Sequence, residues 1–262
     1  MDAAQRRIST DMDGDVWRVA LDRPDAGNAI DLPLADALVD ALEQRPARAR
    51  TVLLLGNGPR FCVGGDVAGM AAAQDRAAFI GALANRWHDA VRAVITCPVP
   101  VVAGVQGAVA GAGIGLVGAC DLVVCARSTK IRPAYGAIGL SPDGGTSWAL
   151  ARTLGAPRAL DLMLTNGTLS AADAHAAGLV ARLADDDRLT DEAVDLAHRV
   201  AAGPVRAMVR TRGLVRRAAT TTLDAQLDEE ARLIVASAAD AEAAEGIAAF
   251  AGRRAAEFGG TR

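Results

Sequence analysis

Residues 99–125 read VPVVAGVQGAVAGAGIGLVGACDLVVC, and this stretch decides the class of fold. Val99–Val105 is a short apolar run that predicts a buried strand. Gly111–Ala119 contains only small and aliphatic residues and predicts a buried helix, and Leu122–Cys125 predicts another buried strand. Strands that alternate with helices are typical of parallel pairing, so the sequence predicts an α/β fold.

The same stretch belongs to an uncharged run from Ala93 to Cys120, which is long enough to span a bilayer. Pro98 and Pro100 would break a single helix through the run, and six glycines lie between Gly104 and Gly118. We therefore expect a strand, a turn and a buried helix rather than a membrane span.

The flanking regions divide into an alternating part and a helical part. Before the run, the patterns predict strands over Val16–Leu21 and Thr51–Leu55 and helices over Leu32–Leu42 and Ala77–Ile95, with the first ten residues loose. After Pro142 they predict helices over Thr146–Leu154, Arg158–Leu164 and Ser170–Ala177, and helical periodicity from Asp191 onward. We divide the chain into a core of residues 1–200 and a helical region of residues 201–262.

Composition limits the possible partners and the compartment. The 262 residues include 28 Lys+Arg and 31 Asp+Glu, for a net charge of -3, so the basic surplus needed to bind nucleic acid or an anionic membrane is lacking. The four cysteines form no CxxC pair and have no histidine at ligand spacing. We interpret them as reduced, mostly buried thiols and expect a cytoplasmic protein with no metal site.

Two glycine-rich segments are candidates for ligand binding. Gly113–Gly118 matches GxGxxG, but its first glycine lies far from the strand end and Asp121 comes too early for a ribose contact. Close helix packing is therefore favoured over NAD binding. Arg60–Asp66 and Gly107–Gly113 are two loops of small residues, and the second leads into a helix whose first N–H groups lack partners. Two such N–H groups can stabilise an oxyanion on one carbonyl.

The ordered set of motifs resembles the crotonase, or enoyl-CoA hydratase/isomerase, superfamily over nearly the whole chain. The matching segments are Leu21–Pro24 with Asn28, Phe61–Asp66, Pro100–Gly113 with Asp121, Gly139–Thr146, Ala174–Val180 and Phe250–Phe258. The resemblance implies a spiral of ββα turns, with a C-terminal helical region that builds a homotrimer or hexamer.

The resemblance also implies an acyl-CoA substrate whose thioester enolate lies in an oxyanion hole, with no cofactor other than the CoA of the substrate. Carried over, the two hydrogen-bond donors would be Gly65 and Ala112. Contacts to CoA would come from Arg23, Val63, Asp66, Val67 and Arg253. Solvated surface charges remain an equal alternative for the two arginines, and a loop cap is an alternative for Asp66.

The position of the acidic residue points to a subset of reactions. Hydratases of this family use two glutamates, but Gly115 and Tyr135 stand at those positions. Asp143 remains, at a position where some relatives carry a working carboxylate, although an aspartate there could also cap a helix. His88 could lie in the site or pack as an ordinary histidine, and Tyr135 could line the acyl pocket or donate a hydrogen bond.

We expect an isomerase in which Asp143 is the acid and base. An enoyl-CoA hydratase, an aryl-CoA dehalogenase-like enzyme and a non-catalytic acyl-CoA-binding protein remain alternatives, and an NAD enzyme is a distant one.

Overall fold

A computed structural model describes residues 7–260, and its centre is a six-stranded sheet. The large sheet has the order β1-β2-β3-β4-β6-β9; β1 and β2 are antiparallel and every other neighbouring pair is parallel. Its strands are β1 (Ile8–Asp13), β2 (Val16–Leu21), β3 (Thr51–Gly56), β4 (Val101–Val105), β6 (Leu122–Ala126) and β9 (Arg182–Ala184). The α/β prediction is confirmed.

A second, three-stranded sheet lies at the carboxyl ends of the central strands. It consists of β5 (Ala108–Ala110), β7 (Lys130–Arg132) and β8 (Leu169–Ser170). Because β5 follows β4 and β7 follows β6 after short turns, the chain passes from the large sheet to the small one twice. Because β5 is an edge strand of the small sheet, the helix that follows β5 starts at that edge.

Helices cover both faces of the large sheet. In chain order they are α1 (Leu32–Glu43), α2 (Val67–Ala72), α3 (Arg76–Thr96), α4 (Ala112–Ala119), α5 (Thr146–Leu154), α6 (Ala156–Leu164), α7 (Ala171–Ala176), α8 (Leu189–Ala201), α9 (Val205–Ala218), α10 (Leu223–Ala238) and α11 (Ala241–Ala251). Side chains alternate along each strand, so Leu54 faces the main core with α1, α3 and α4, whereas Leu53 faces α8 on the other side.

The helix α4 is buried on all sides, and its glycines allow that burial. A Cβ atom at Gly113 would lie 2.7 Å from the Cys62 carbonyl oxygen, and one at Gly118 would lie 2.6 Å from Cβ of Ala149. The GxGxxG motif therefore permits close packing of α4 against its neighbours, which is the interpretation favoured over a dinucleotide turn.

Helix α9 is joined to the core by a partly buried charge cluster. Asp121, directly after α4, accepts hydrogen bonds from Arg212 and Arg216 at 3.2 and 2.8 Å and from the Val101 N–H at 2.8 Å. The same guanidinium groups donate to carbonyl oxygens at the end of α3 and around α4. These bonds satisfy chain ends that would otherwise be buried without partners.

Several short elements depart from the sequence-based expectations. The prediction that the first ten residues are loose is wrong for residues 8–10, which belong to β1, whereas residues 1–6 lie outside the described part. β1 is only half-buried and is ordered by pairing with β2, a contact that its own sequence does not indicate. The strands β5, β7, β8 and β9 were also missed, because segments of two or three residues carry too little periodicity. The helix α2 was missed because none of its six residues is buried, so its sequence shows no apolar face.

Two expectations are confirmed within residues 7–260. Beyond Asp191 the described chain contains helices and turns without a strand. Three of the four cysteines are buried, Cys120 is half-buried, and all four are free thiols. No helix in the described part is long and apolar enough to cross a membrane. The division at residue 200 stays a prediction.

Candidate active site

A cavity of about 420 Å³ lies between α3, the start of α4 and the loop that follows β7. Its walls are mostly aliphatic and small residues, with Trp87 at the base of one side. Six residues predicted from the sequence line it, namely Val63, Gly65, Val67, Ala112, Tyr135 and Asp143. Asp143 is the one carboxylate among the lining residues that the structure describes.

Two loops bring backbone N–H groups to this cavity. The Ala110 N–H donates to the Cys62 carbonyl at 2.9 Å, which aligns the loop before Gly65 with the loop before Ala112. Gly64 has φ of +88°, and a Cβ atom there would lie 2.9 Å from the Ala110 carbonyl oxygen, so only glycine fits. The two loops can approach because this position lacks a side chain.

The N–H groups of Gly65 and Ala112 are both available. Neither takes part in a hydrogen bond within residues 7–260, and both residues line the cavity. Ala112 is the first residue of α4, where an N–H has no partner inside the helix and the helix dipole is positive. The arrangement can stabilise negative charge on a carbonyl oxygen.

Asp143 accepts a hydrogen bond from the only tyrosine of the chain. The Tyr135 hydroxyl donates to Asp143 Oδ1 at 2.7 Å and lies 3.2 Å from Thr146 Oγ1. Burial, reinforced by the negative charge of Asp143, raises the pKa of Tyr135, so the phenol stays protonated and acts as a donor. Helix α5 starts after Gly145 without a side-chain cap, so the capping alternative for Asp143 is wrong.

The loop that carries Asp143 packs against α3 at Trp87 and His88. The Gly144 N–H donates to His88 Nε2 at 3.1 Å, and Trp87 Nε1–H donates to the Ala112 carbonyl at 3.3 Å. Gly144 has φ of +60°, and a Cβ atom there would lie 3.0 Å from the Trp87 ring. His88 does not line the cavity but contacts this loop, so it supports the loop from behind.

The resemblance assigns one of the two hydratase glutamates to the position of Gly115. A Cβ atom at Gly115 would lie 1.7 Å from the Gly144 carbonyl oxygen and 2.6 Å from its carbonyl carbon. The backbone of the Asp143 loop therefore occupies the space that any side chain at residue 115 would need. The Asp143 loop can take this position only because residue 115 has no side chain.

The residues assigned to CoA have different environments. Arg23 Nη2 lies 2.8 Å from Asp66 Oδ2, and its Nη1 lies 3.6 Å from Asp31 Oδ2. Asp66 also caps α2 by accepting the Gly69 N–H at 3.1 Å, so the loop-cap alternative is confirmed. Although burial opposes ionisation, the Gly69 N–H and the Arg23 guanidinium lower the pKa of Asp66.

The structure separates Arg253 from the cavity. Arg253 is exposed just after α11, has φ of +52° and is not among the lining residues. Val67 is half-exposed at the start of α2, and Val63 lies on the other side of the Gly64 turn. The CoA contacts of all these residues stay predictions.

Sequence reasoning gave Thr146 no role, but the structure places it behind the cavity wall, in contact with Tyr135 and Gly111, which do line the cavity. Its side chain is fully buried, and its hydroxyl donates to the Gly111 carbonyl at 2.9 Å. A threonine after two glycines at a predicted helix start was the available signal, but its partner is 35 residues away.

Residues 11–261 match the family model described as enoyl-CoA hydratase/isomerase. The chain belongs to this family, which is part of the crotonase superfamily, and its fold is the crotonase fold.

Relatives of this chain have different names. A 1,2-epoxyphenylacetyl-CoA isomerase of Escherichia coli is 34% identical over 255 residues, covering 94% of this chain and 95% of the relative. A probable enoyl-CoA hydratase of Rhodobacter capsulatus is 33% identical, with 92% and 93% covered. The crystal structure of an enoyl-CoA hydratase from Polaromonas sp. JS666 superposes with a TM-score of 0.91 at 33% identity, covering 95% of this chain and 98% of that one.

Proposed function

We propose that this protein is an acyl-CoA isomerase in which Asp143 moves a proton between two carbons of an unsaturated acyl thioester. The observation that carries the proposal is that the one carboxylate lining the described cavity shares that cavity with two unpaired N–H groups, those of Gly65 and Ala112. A base beside an oxyanion hole is the arrangement that enolate formation needs.

The reaction is balanced without water. The thioester oxygen accepts the N–H groups of Gly65 and Ala112, and the Asp143 carboxylate removes a proton from the carbon next to the carbonyl. The released electron pair moves onto the thioester oxygen, giving an enolate. The protonated Asp143 then returns the proton to the far carbon of the conjugated system, and the double bond moves by one position.

Two features favour isomerisation over hydration. A glutamate at residue 115 cannot be accommodated beside the Gly144 carbonyl. Tyr135, at the other hydratase position, is a protonated phenol whose raised pKa prevents it from acting as a base at neutral pH. The remaining carboxylate is alone, whereas syn hydration by the family's usual route requires two groups to hold and split water.

The test is exchange and turnover with a panel of acyl-CoAs in D2O. We expect 3-enoyl-CoAs to be converted to conjugated 2-enoyl-CoAs, with deuterium entering beside the thioester. Asp143→Asn should slow both processes by at least about 10³-fold and leave the dissociation constant of the CoA ester within a few-fold of the wild-type value. Asp161→Asn, an exposed carboxylate on α6, is the matched control and should behave like the wild type.

Other results would contradict the proposal in recognisable ways. Loss of the enoyl absorbance of crotonyl-CoA with uptake of water would indicate a hydratase. Release of halide from a halogenated aryl-CoA would indicate dehalogenase-like substitution. Binding of thioesters without exchange or turnover would indicate a non-catalytic acyl-CoA-binding protein.

We also propose that the C-terminal helices form the contact of a homotrimer or hexamer. Large apolar side chains are exposed on these helices, at Val215, Leu223, Leu227, Ile234, Val235, Ile247 and Phe250. Such a group of exposed side chains is unusual on a monomer and favours an interface. Light scattering after size exclusion should give a trimer or hexamer mass, and Ile234→Asp with Val235→Asp should lower it; a monomeric wild type would contradict the proposal.

A further inference from the structure

Thr146 joins the two halves of the site. Its hydroxyl donates to the Gly111 carbonyl at 2.9 Å, and its own N–H donates to the Asp143 carbonyl at 3.0 Å. A carbonyl oxygen can only accept, so the direction of the first bond is fixed. One buried residue therefore connects the loop of the acid and base with the loop that leads into α4.

The Gly111 carbonyl belongs to the same peptide unit as the Ala112 N–H. In a planar trans peptide the C=O and N–H groups point in opposite directions. A hydrogen bond that fixes the carbonyl therefore also fixes the direction of the N–H. Thr146 therefore binds the carbonyl oxygen of this peptide, and the N–H that points the opposite way is the proposed oxyanion donor.

The backbone of Gly111 restrains this peptide less than another residue would. Its φ is 50° and its ψ is −130°, a region that only glycine populates readily. Glycine accepts a wide range of ψ, so tilting of the following peptide is limited by φ of Ala112, which turns with it, and by the hydrogen bonds of the Gly111 carbonyl. A tilted peptide would no longer direct the Ala112 N–H into the cavity.

We propose that Thr146 is a positioning residue that keeps the Gly111–Ala112 peptide in the orientation an oxyanion hole requires. This inference rests on the proposed function, because it concerns the donor that would polarise the thioester. The Ile114 N–H also donates to the Gly111 carbonyl, at 3.1 Å, as part of the first turn of α4. The Thr146 hydroxyl supplies the second bond from outside the helix, and a tilt of the peptide would weaken both.

The test uses variants that remove or retain the hydroxyl. Thr146→Val keeps the shape and removes the donor, whereas Thr146→Ser keeps the donor. Thr153→Val is a matched control in the same helix, because Thr153 Oγ1 donates to the Ala149 carbonyl at 2.9 Å, within α5, and not to a loop of the site. If Thr146→Val does not fold, Thr146→Cys replaces it, because its S–H is only a weak donor.

The readout is the polarisation of a bound thioester. Cinnamoyl-CoA carries no hydrogen that an isomerase could move, and its absorption band shifts to longer wavelength when its carbonyl is polarised. We expect a red shift on binding to the wild type, a much smaller shift with Thr146→Val at a dissociation constant within a few-fold, and a wild-type shift with Thr146→Ser and Thr153→Val. Loss of one such hydrogen bond should also lower kcat about tenfold with little change in KM.

Failure of the inference can be told apart from failure of the proposed function. A full red shift in Thr146→Val, with only a lower Tm, would overturn the positioning role and leave the oxyanion hole intact. Binding to the wild type without a red shift would overturn the oxyanion hole, and with it both proposals. The shift should persist in Asp143→Asn, because polarisation does not depend on proton transfer.

Discussion

Replacing Gly115 with alanine should lower the free energy of unfolding, although helix propensity alone predicts that it would rise. Both residue types are tolerated in α-helices, and alanine is favoured over glycine by about 1 kcal/mol in an unhindered position. At Gly115, however, the new Cβ atom would lie 1.7 Å from the Gly144 carbonyl oxygen, where real Cβ contacts are essentially never shorter than 3.0 Å.

The difference between these two distances gives the size of the disturbance. The Gly144 carbonyl must retreat by at least 3.0 − 1.7 = 1.3 Å, or α4 must move by as much. Overpacking of a well-filled interior costs about 3 kcal/mol at the upper end of its usual range, so the gain in helix propensity leaves a net loss of about 2 kcal/mol in unfolding free energy. A shift of about 1 Å in a catalytic group can lower the rate about 10²-fold.

The assay compares Gly115→Ala with Gly213→Ala. Gly213 lies within α9, and a Cβ atom there would meet nothing within 4 Å. Urea unfolding followed by circular dichroism should show Gly115→Ala less stable and Gly213→Ala slightly more stable than the wild type. Deuterium exchange into a 3-enoyl-CoA should fall about 10²-fold in the first variant only.

The reasoning would be refuted by a simple outcome. If Gly115→Ala were as stable as Gly213→Ala and kept exchange within about threefold of the wild type, the loop backbone would not occupy the space beside α4. The structural argument against a glutamate at this position would then fail.

Three further predictions concern charge and burial. Asp121→Asn should cost about 3 kcal/mol in urea unfolding, because it leaves two half-buried guanidinium groups without their charge partner, whereas Asp185→Asn, from an exposed pair, should cost less than about 0.5. Asp66→Asn keeps an oxygen that can cap α2 but removes the charge paired with Arg23, so it should cost about 1 kcal/mol at pH 7. The folded pKa of Asp66 lies below its ordinary 3.8. The difference in unfolding free energy between the wild type and Asp66→Asn should therefore be full above pH 3.8 and disappear as the pH falls through the folded pKa. Urea unfolding at pH 7 and pH 3 would check this. Burial raises the pKa of Cys62 to about 12, so iodoacetamide at pH 8 should leave Cys62 unmodified in the native protein and modify it after unfolding, as peptide mass spectrometry would show.

Much of the fold follows from local patterns. The helices α1, α3, α5 and α6 and the strands β2, β3 and β6 begin and end within about two residues of the sequence-based bounds. Each has enough residues to show periodicity or a continuous apolar run. The strand β1 was missed because Ile8–Asp13 is half-exposed and becomes a strand through its partner β2.

The candidate site was predictable to a similar degree. The resemblance carried Gly65, Ala112, Tyr135 and Asp143 to one site, and all four line one cavity. It could not place Arg253 relative to that cavity, and it did not indicate that Arg23 and Asp66 are already paired at 2.8 Å. Ion pairs depend on the distance between loops, which no local pattern encodes.

The sequence by itself determined the α/β class, the family and the presence of a carboxylate at residue 143 without a glutamate at residue 115. These features depend on residue types and their order along the chain. Only the tertiary structure decided that the Gly144 carbonyl fills the space beside Gly115, that the Asp143 carboxylate accepts from Tyr135 rather than capping α5, and that Thr146 holds the peptide before Ala112. The first and third are contacts between α4 or the loop before it and a segment about 30 residues further along the chain, whereas Tyr135 and Asp143 are only eight residues apart. All three depend on how α4, α5 and the intervening loop pack together, which no local pattern encodes.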